Sequence, residues 1–152
     1  MVKIDYRFPQ DVDIVALAET MRRADIEELE AVTELPPCEA VVRSVQASDP
    51  KFLKAWYCDA GLICISGCSP VSHTRAVPWL LGTDLLDLHC RRLHDLARVG
   101  VLEMLADYEV LSNVVDVRQV KVIRWLERLG FAMLYKAEAR VGFEVWHFER
   151  SR

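Results

Sequence analysis

Val2, Ile4, Tyr6 and Phe8 alternate with Lys3, Asp5 and Arg7. Successive strand side chains point to opposite faces, so this period of two predicts a half-buried strand over residues 2–8, ended by Pro9. From Asp11 the period changes. Ile14, Leu17, Ala18 and Met21 recur three and four apart, the spacing of one helix face, and Arg22 and Arg23 would then sit at the negative end of that helix's dipole. Asp25 and Glu28 have the spacing of a capping box, which opens a short second helix carrying Ile26, Leu29 and Val32. Pro36-Pro37 opens a third, with Ala40, Val41, Ser44 and Val45 inward, and Asp49-Pro50 closes it.

Residues 52–58 and 62–68 are apolar and aromatic around Asp59-Ala60-Gly61, the pattern of a hairpin. Residues 77–81 form a short apolar run stopped by Gly82-Thr83-Asp84, as a buried strand would. Leu85, Leu88, Leu93, Leu96, Val101 and Leu105 mark a helix over 85–108 that Gly100 divides or kinks. A strand over 110–115 follows. Asp116 then caps a helix carrying Val120, Ile123, Trp125, Leu126 and Leu129, with Gly130 just past its end. Residues 131–136 and 143–149 close the chain as a second hairpin. The predicted order is β-α-α-α-β-β-β-α-β-α-β-β, which packs helices on the faces of a mixed central sheet.

A chain of 152 residues is one domain's worth, so residues 1–152 are read as a single unit. With 52% hydrophobic and 28% charged residues it is not a disordered chain. A net charge of -4 argues against a general nucleic-acid coat. No apolar run reaches the roughly 18 residues of a membrane span, and the early Asp5 breaks any signal-peptide core, so neither a membrane partner nor export is expected. The odd count of five cysteines fits reduced thiols in a cytoplasmic setting. Cys64 and Cys68 have no second pair, and Cys90 with His94 has no evident third ligand, so no metal site is predicted. Arg118, Lys121 and Arg124 recur at helical spacing, as an anion-facing stripe or a solvated face.

Asn113-Val114-Val115-Asp116, followed by Ile123-Arg124-Trp125-Leu126-Glu127-Arg128-Leu129-Gly130-Phe131, resembles the strand–helix–Leu-Gly-Phe segment of the GNAT acyltransferases. That resemblance covers essentially the whole chain. It implies an α+β, α/β/α-layered fold: a mixed, mostly antiparallel central sheet with helices on both faces. More narrowly, Trp79-Leu80-Leu81-Gly82-Thr83-Asp84, Val115-Asp116-Val117-Arg118 and Arg124-Trp125-Leu126 are similar to GNAT-like internal virion or head-morphogenesis proteins of T7-like podophages.

What the resemblance implies is specific. Acetyl-CoA would lie in a wedge between the strands at 77–81 and 110–115. Leu80, Leu81 and Gly82 would hold the pantetheine arm through backbone groups, Asn113 would hydrogen-bond within the wedge, and Trp125, with Trp79, would line the acyl pocket. The family's glycine-rich phosphate loop falls at residues 87–92, where Cys90 and Arg92 stand at the glycine positions. Asp84 and Asp87 there would repel a phosphate, and Arg91 and Arg92 would have to compensate through their side chains. Leu126 occupies the place of the family's thiolate-protonating Tyr, and Gln119 that of a common Asn. The catalytic residues therefore stay unassigned, with Glu27, Glu28, Glu30 and Glu34 as acidic candidates.

Two functions are expected. The first is a phage-encoded N-acetyltransferase using acetyl-CoA on an amine or a protein. The second is a non-catalytic module that serves as a virion or assembly component or binds a host protein. Both place the chain in the host cytoplasm, or packaged in the virion, with homodimerisation through the C-terminal strands as a further expectation.

Overall fold

The computed structural model describes residues 2–152; Met1 lies outside the described residues. Strand β1 (Asp5–Arg7) is followed by helices α1 (Asp11–Thr20), α2 (Arg23–Val32) and α3 (Pro37–Ala47), then a single 3-10 turn over Pro50–Phe52. Strands β2 (Lys54–Cys58), β3 (Gly61–Pro70) and β4 (Arg75–Gly82) lead into helices α4 (Leu85–Leu88) and α5 (Cys90–Asp107). Strand β5 (Val110–Asp116), helix α6 (Val120–Arg128) and strands β6 (Ala132–Arg140) and β7 (Phe143–Ser151) complete the chain.

The seven strands form one sheet in the order β1-β2-β3-β4-β5-β7-β6. Every neighbouring pair is antiparallel except β4 and β5. Helices cover both faces. On one, Ile14, Leu17 and Met21 of α1 and Val41 of α3 pack against Ala55, Ile65 and Leu81. On the other, Val101 and Leu105 of α5 and Leu126 of α6 meet Cys68, Ala76, Leu111, Val115 and Phe148. A smaller cluster of Ile63, Cys64, Leu86 and Leu93 sits under α4 and the start of α5. The extra residue of a bulge, Ile63, lets two consecutive side chains join it, because Trp56 pairs with Cys64 and Tyr57 with Leu62.

Several local expectations are corrected. The first strand pairs over three residues only and is exposed, because it is the sheet edge; Tyr6 rests on Trp56 with ring centroids 5.0 Å apart, half outside the core. Helix α1 stops at Thr20, since Met21 turns extended and bridges to Thr83. Arg22 and Arg23 therefore begin α2 rather than end α1. Asp25 lies inside the first turn of α2 and forms no capping box. The long helix over 85–108 is two helices divided at His89 (φ -114, ψ 19), while α5 runs through Gly100. Helix α6 starts at Val120 with Gln119 at its cap, and the Asp116 carboxylate turns to Arg118 instead. Gly130 sits just past α6 at φ +91, a left-handed position that a side chain would strain.

Candidate functional site

Strands β4 and β5 pair only at Arg75–Val110 and Ala76–Leu111. Past that point β4 stays on β3 and β5 stays on β7, so the two diverge toward their C-terminal ends. Pro78 is the local reason. Its carbonyl faces β5, but it has no N–H, so a parallel ladder rung cannot form there. The Asn113 carboxamide stands in that gap. Its Nδ2 donates to the Pro78 carbonyl at 2.8 Å, and its Oδ1 accepts from the Val114 N–H at 2.7 Å. One side chain thus takes the place of a rung across the splay.

At the open end the strand edges meet α2. Asp25 and Glu28 are three apart and share a helix face. Asp25 accepts the Gly82 N–H of β4 at 2.8 Å. Glu28 accepts the Asp116 N–H of β5 through both oxygens, at 2.9 and 3.1 Å. Arg22 holds Asp25 at 2.7 Å and reaches Asp87 at 2.8 Å, while its own N–H donates to the Gly82 carbonyl. Gln119 donates to Glu27 at 2.9 Å, and Arg118 pairs with Asp116 at 2.6 Å.

Burial of these groups sets their acidity. Desolvation pushes the Glu28 carboxyl up to about 7; the bond from the Asp116 N–H works the other way, and the Asp116 and Asp25 charges add to the rise. Asp25 is also raised by burial, against the pull of Arg22. Asp116 is lowered, chiefly by its hydrogen bonds from Arg118. One carboxyl that titrates near neutrality therefore stands beside one held ionised. On a different face of α2 from Glu28, a groove of about 460 Å³ runs between Ile26, Leu29, Glu30 and the α2–α3 loop. Arg140 of β6 closes it, donating to the carbonyls of Glu30 and Thr33.

The opposite face of the splay belongs to α5 and α6. His94 of α5 meets Trp125 of α6 edge-on, with ring centroids 5.9 Å apart. Arg91 and Arg92 are exposed in the first turn of α5. Asp87, which a phosphate would meet there, is already engaged by Arg22.

The expected site residues are thus only partly brought together. Strand alternation turns the peptide group of Leu80 toward β5 and that of Leu81 toward β3, while the Gly82 N–H and carbonyl are taken by Asp25 and by the Arg22 N–H, so the three do not form the backbone cradle expected of them. Asn113 lies in the splay, as expected of it. Trp125 flanks the α5/α6 side, but Trp79 faces α1–α3 and donates to Ser48 at 2.8 Å, so the two indoles share no pocket. Cys64 and Cys68 are fully buried, and burial pushes both thiols far above the ordinary range, so neither is a nucleophile at neutral pH. Among the described residues no cluster of three or more His, Cys, Asp or Glu is placed to hold a metal, and no helix is long and apolar enough to cross a membrane. Sequence reasoning missed Asp25 and Arg22 at the mouth of the splay. It also missed Pro78, whose place inside an apolar strand was the available signal.

Solved structures match this architecture along nearly its whole length. Ard1 from Thermoplasma volcanium superposes with a TM-score of 0.68 at 13% identity, covering 97% of each chain. An aminoglycoside acetyltransferase in complex with coenzyme A gives 0.68 at 15%, covering 99% of this chain and 95% of that one. The chain has the GNAT fold. A Vibrio cholerae spermidine N-acetyltransferase, solved with CoA and spermine, matches equally well, with a TM-score of 0.68 at 13% identity over 97% of this chain and 95% of that one. No family model and no curated protein matches the sequence.

Proposed function

We propose that this chain is an acyl-CoA-dependent N-acyltransferase, with Glu28 as the group that takes the proton of the attacking amine. The observation that carries this reading is a carboxyl near neutral acidity at the open end of the β4/β5 splay. At pH 7 such a group is ionised often enough to accept a proton and basic enough to remove one from an ammonium. The amine nitrogen attacks the thioester carbonyl, the C–N bond forms and the C–S bond breaks. The amine proton passes to Glu28, and the thiolate leaves to be protonated by water, since Leu126 has no proton to give. Arg91 and Arg92 supply the phosphate contacts that the loop glycines would otherwise make.

Calorimetry with acetyl-CoA and CoA tests the reading, with Arg91→Glu/Arg92→Glu as control. Saturable binding that the charge reversal abolishes supports it. No binding at millimolar ligand overturns it.

A second reading is favoured by Asn113, which closes the splay by itself. On that reading the GNAT fold is retained as a non-catalytic module of a phage, as an assembly or virion component or a binder of a host protein in the host cytoplasm. The exposed edge strand β6, with Leu134 and Tyr135 outward, is where a second copy would dock. A chain that pairs as a dimer and takes no acyl-CoA would support it.

A further inference from the structure

Val2, Ile4, Tyr6 and Phe8 share one face by their period of two, the pattern of a strand face under cover. The fold leaves most of that face open. Tyr6 and Phe8 are each more than half exposed, and Val2 is exposed as well. Tyr6 pairs with Trp56, which joins the cluster around Leu93 of α5, so the face is the one on the α5 side of the sheet. A cleft of about 300 Å³ lies there, between Ile4, Tyr6 and Trp56 on one side and Leu96, Val99 and Gly100 of α5 on the other. Val99 too is more than half exposed. Gly100 stands inside an 18-residue helix, where glycine costs stability relative to alanine. A Cβ there would meet nothing within 4 Å, so no packing among the described residues requires the glycine or fills the space beside it.

Strand β1 is also an outer strand of the sheet, with no neighbour on its far side. An added strand would pair with that edge and lay alternate side chains over the cleft. The residues around Tyr6 indicate which strand fits. With Tyr6 opposite Tyr6 in an antiparallel pair of two copies, Asp5 of each faces Arg7 of the other, and Ile4 of each faces Phe8 of the other. A two-fold axis perpendicular to the sheet keeps both apolar sets on the α5 side. The charged pairs fall on the opposite face. There Arg7 reaches Asp13 and Tyr57 through Nη2 alone, each at 2.9 Å, so its other nitrogens can turn to a facing carboxylate. Among the described residues Asp5 pairs with Lys3 alone, at 3.6 Å. We propose that the β1 edges of two copies of this chain pair antiparallel about Tyr6, with Ile4 and Phe8 of each copy covering the cleft of the other and the two sheets joined into one. The inference is independent of the acyl-CoA reading. It also leaves β6 free, because β1 and β6 are opposite edges of the sheet.

Light scattering across a series of protein concentrations measures the mass of the intact chain and of Tyr6→Glu and Tyr6→Lys. Residue 6 faces its own copy in this pairing, so each variant alone sets like charges together and a mixture of the two sets unlike ones together. We expect the intact chain to dimerise, either variant alone to associate at least about tenfold more weakly, and the mixture to recover the dimer. Thermal melts establish that the variants are folded. Should either fail to fold, Asp5→Arg sets an arginine against the other copy's Arg7 and should dissociate the dimer in the same way. Leu134→Glu, on β6, should leave the dimer intact. An intact chain that stays monomeric at millimolar concentration would overturn the pairing. So would a dimer that survives both Tyr6 variants, a dimer lost to Leu134→Glu, or a mixture that does not reassociate.

Discussion

Glu28→Gln is the substitution that probes the α2 face most directly. The change keeps an oxygen that can accept the Asp116 N–H and removes only the titrating charge. In the folded chain burial holds this carboxyl at about 7 against an ordinary 4.5. A tenfold change in an acidity constant corresponds to about 1.4 kcal/mol between protonation states, so the ionised form costs the fold about 3 kcal/mol. A carboxyl raised above its unfolded value is tolerated best when protonated. Its contribution is intact below about pH 4.5 and is lost as the pH climbs through 7. The parent should therefore weaken relative to Glu28→Gln between pH 5 and pH 8, by about 2–3 kcal/mol. Asp25 titrates in both proteins and largely cancels. Urea melts of the two proteins at pH 5, 6, 7 and 8 measure the difference directly. A difference that stays flat across that range would refute the desolvated carboxyl and, with it, the near-neutral base. If acyl transfer is found, the same variant should lose about 100- to 10,000-fold in rate, the usual worth of a positioned base.

Two further substitutions separate the parts of the site. Arg22→Ala leaves Asp25, 5% exposed, as a buried carboxylate without its cation, and should cost about 3–5 kcal/mol in a urea melt. Asn113→Ala removes both bonds of the side-chain rung; we expect a loss of about 1–3 kcal/mol and faster hydrogen exchange at the Val114 amide, whose partner is gone. Unchanged exchange at Val114 would mean that the strands are held by their neighbours alone.

The fold was legible because most of its determinants are local. The change from period two at residues 2–8 to helical spacing after Asp11, the turn at Gly61 and the left-handed stop at Gly130 each announce themselves within a few residues. The site was legible only in part, and Asp25 and Glu28 show why. Two carboxylates three apart are the sequence pattern of a capping box, and they are equally the pattern of two groups on one helix face reaching into a sheet. Which of the two applies depends on where α1 ends. Had it run on through Arg22 and Arg23, those cations would have met its dipole and Asp25 would have been free to cap. Instead Met21 leaves the helix to bridge Thr83, and Arg22 donates its N–H to the Gly82 carbonyl. The start of α2 is thereby tied to the end of β4, and Arg22 is placed to neutralise Asp25 on the Gly82 N–H. Those partners lie 57 residues apart in the chain, beyond the reach of any local spacing rule. The same pinning delivers Glu28, one turn further on, to the end of β5. The arrangement of carboxylates at this splay is therefore set by a strand-to-helix junction that spacing alone does not reveal.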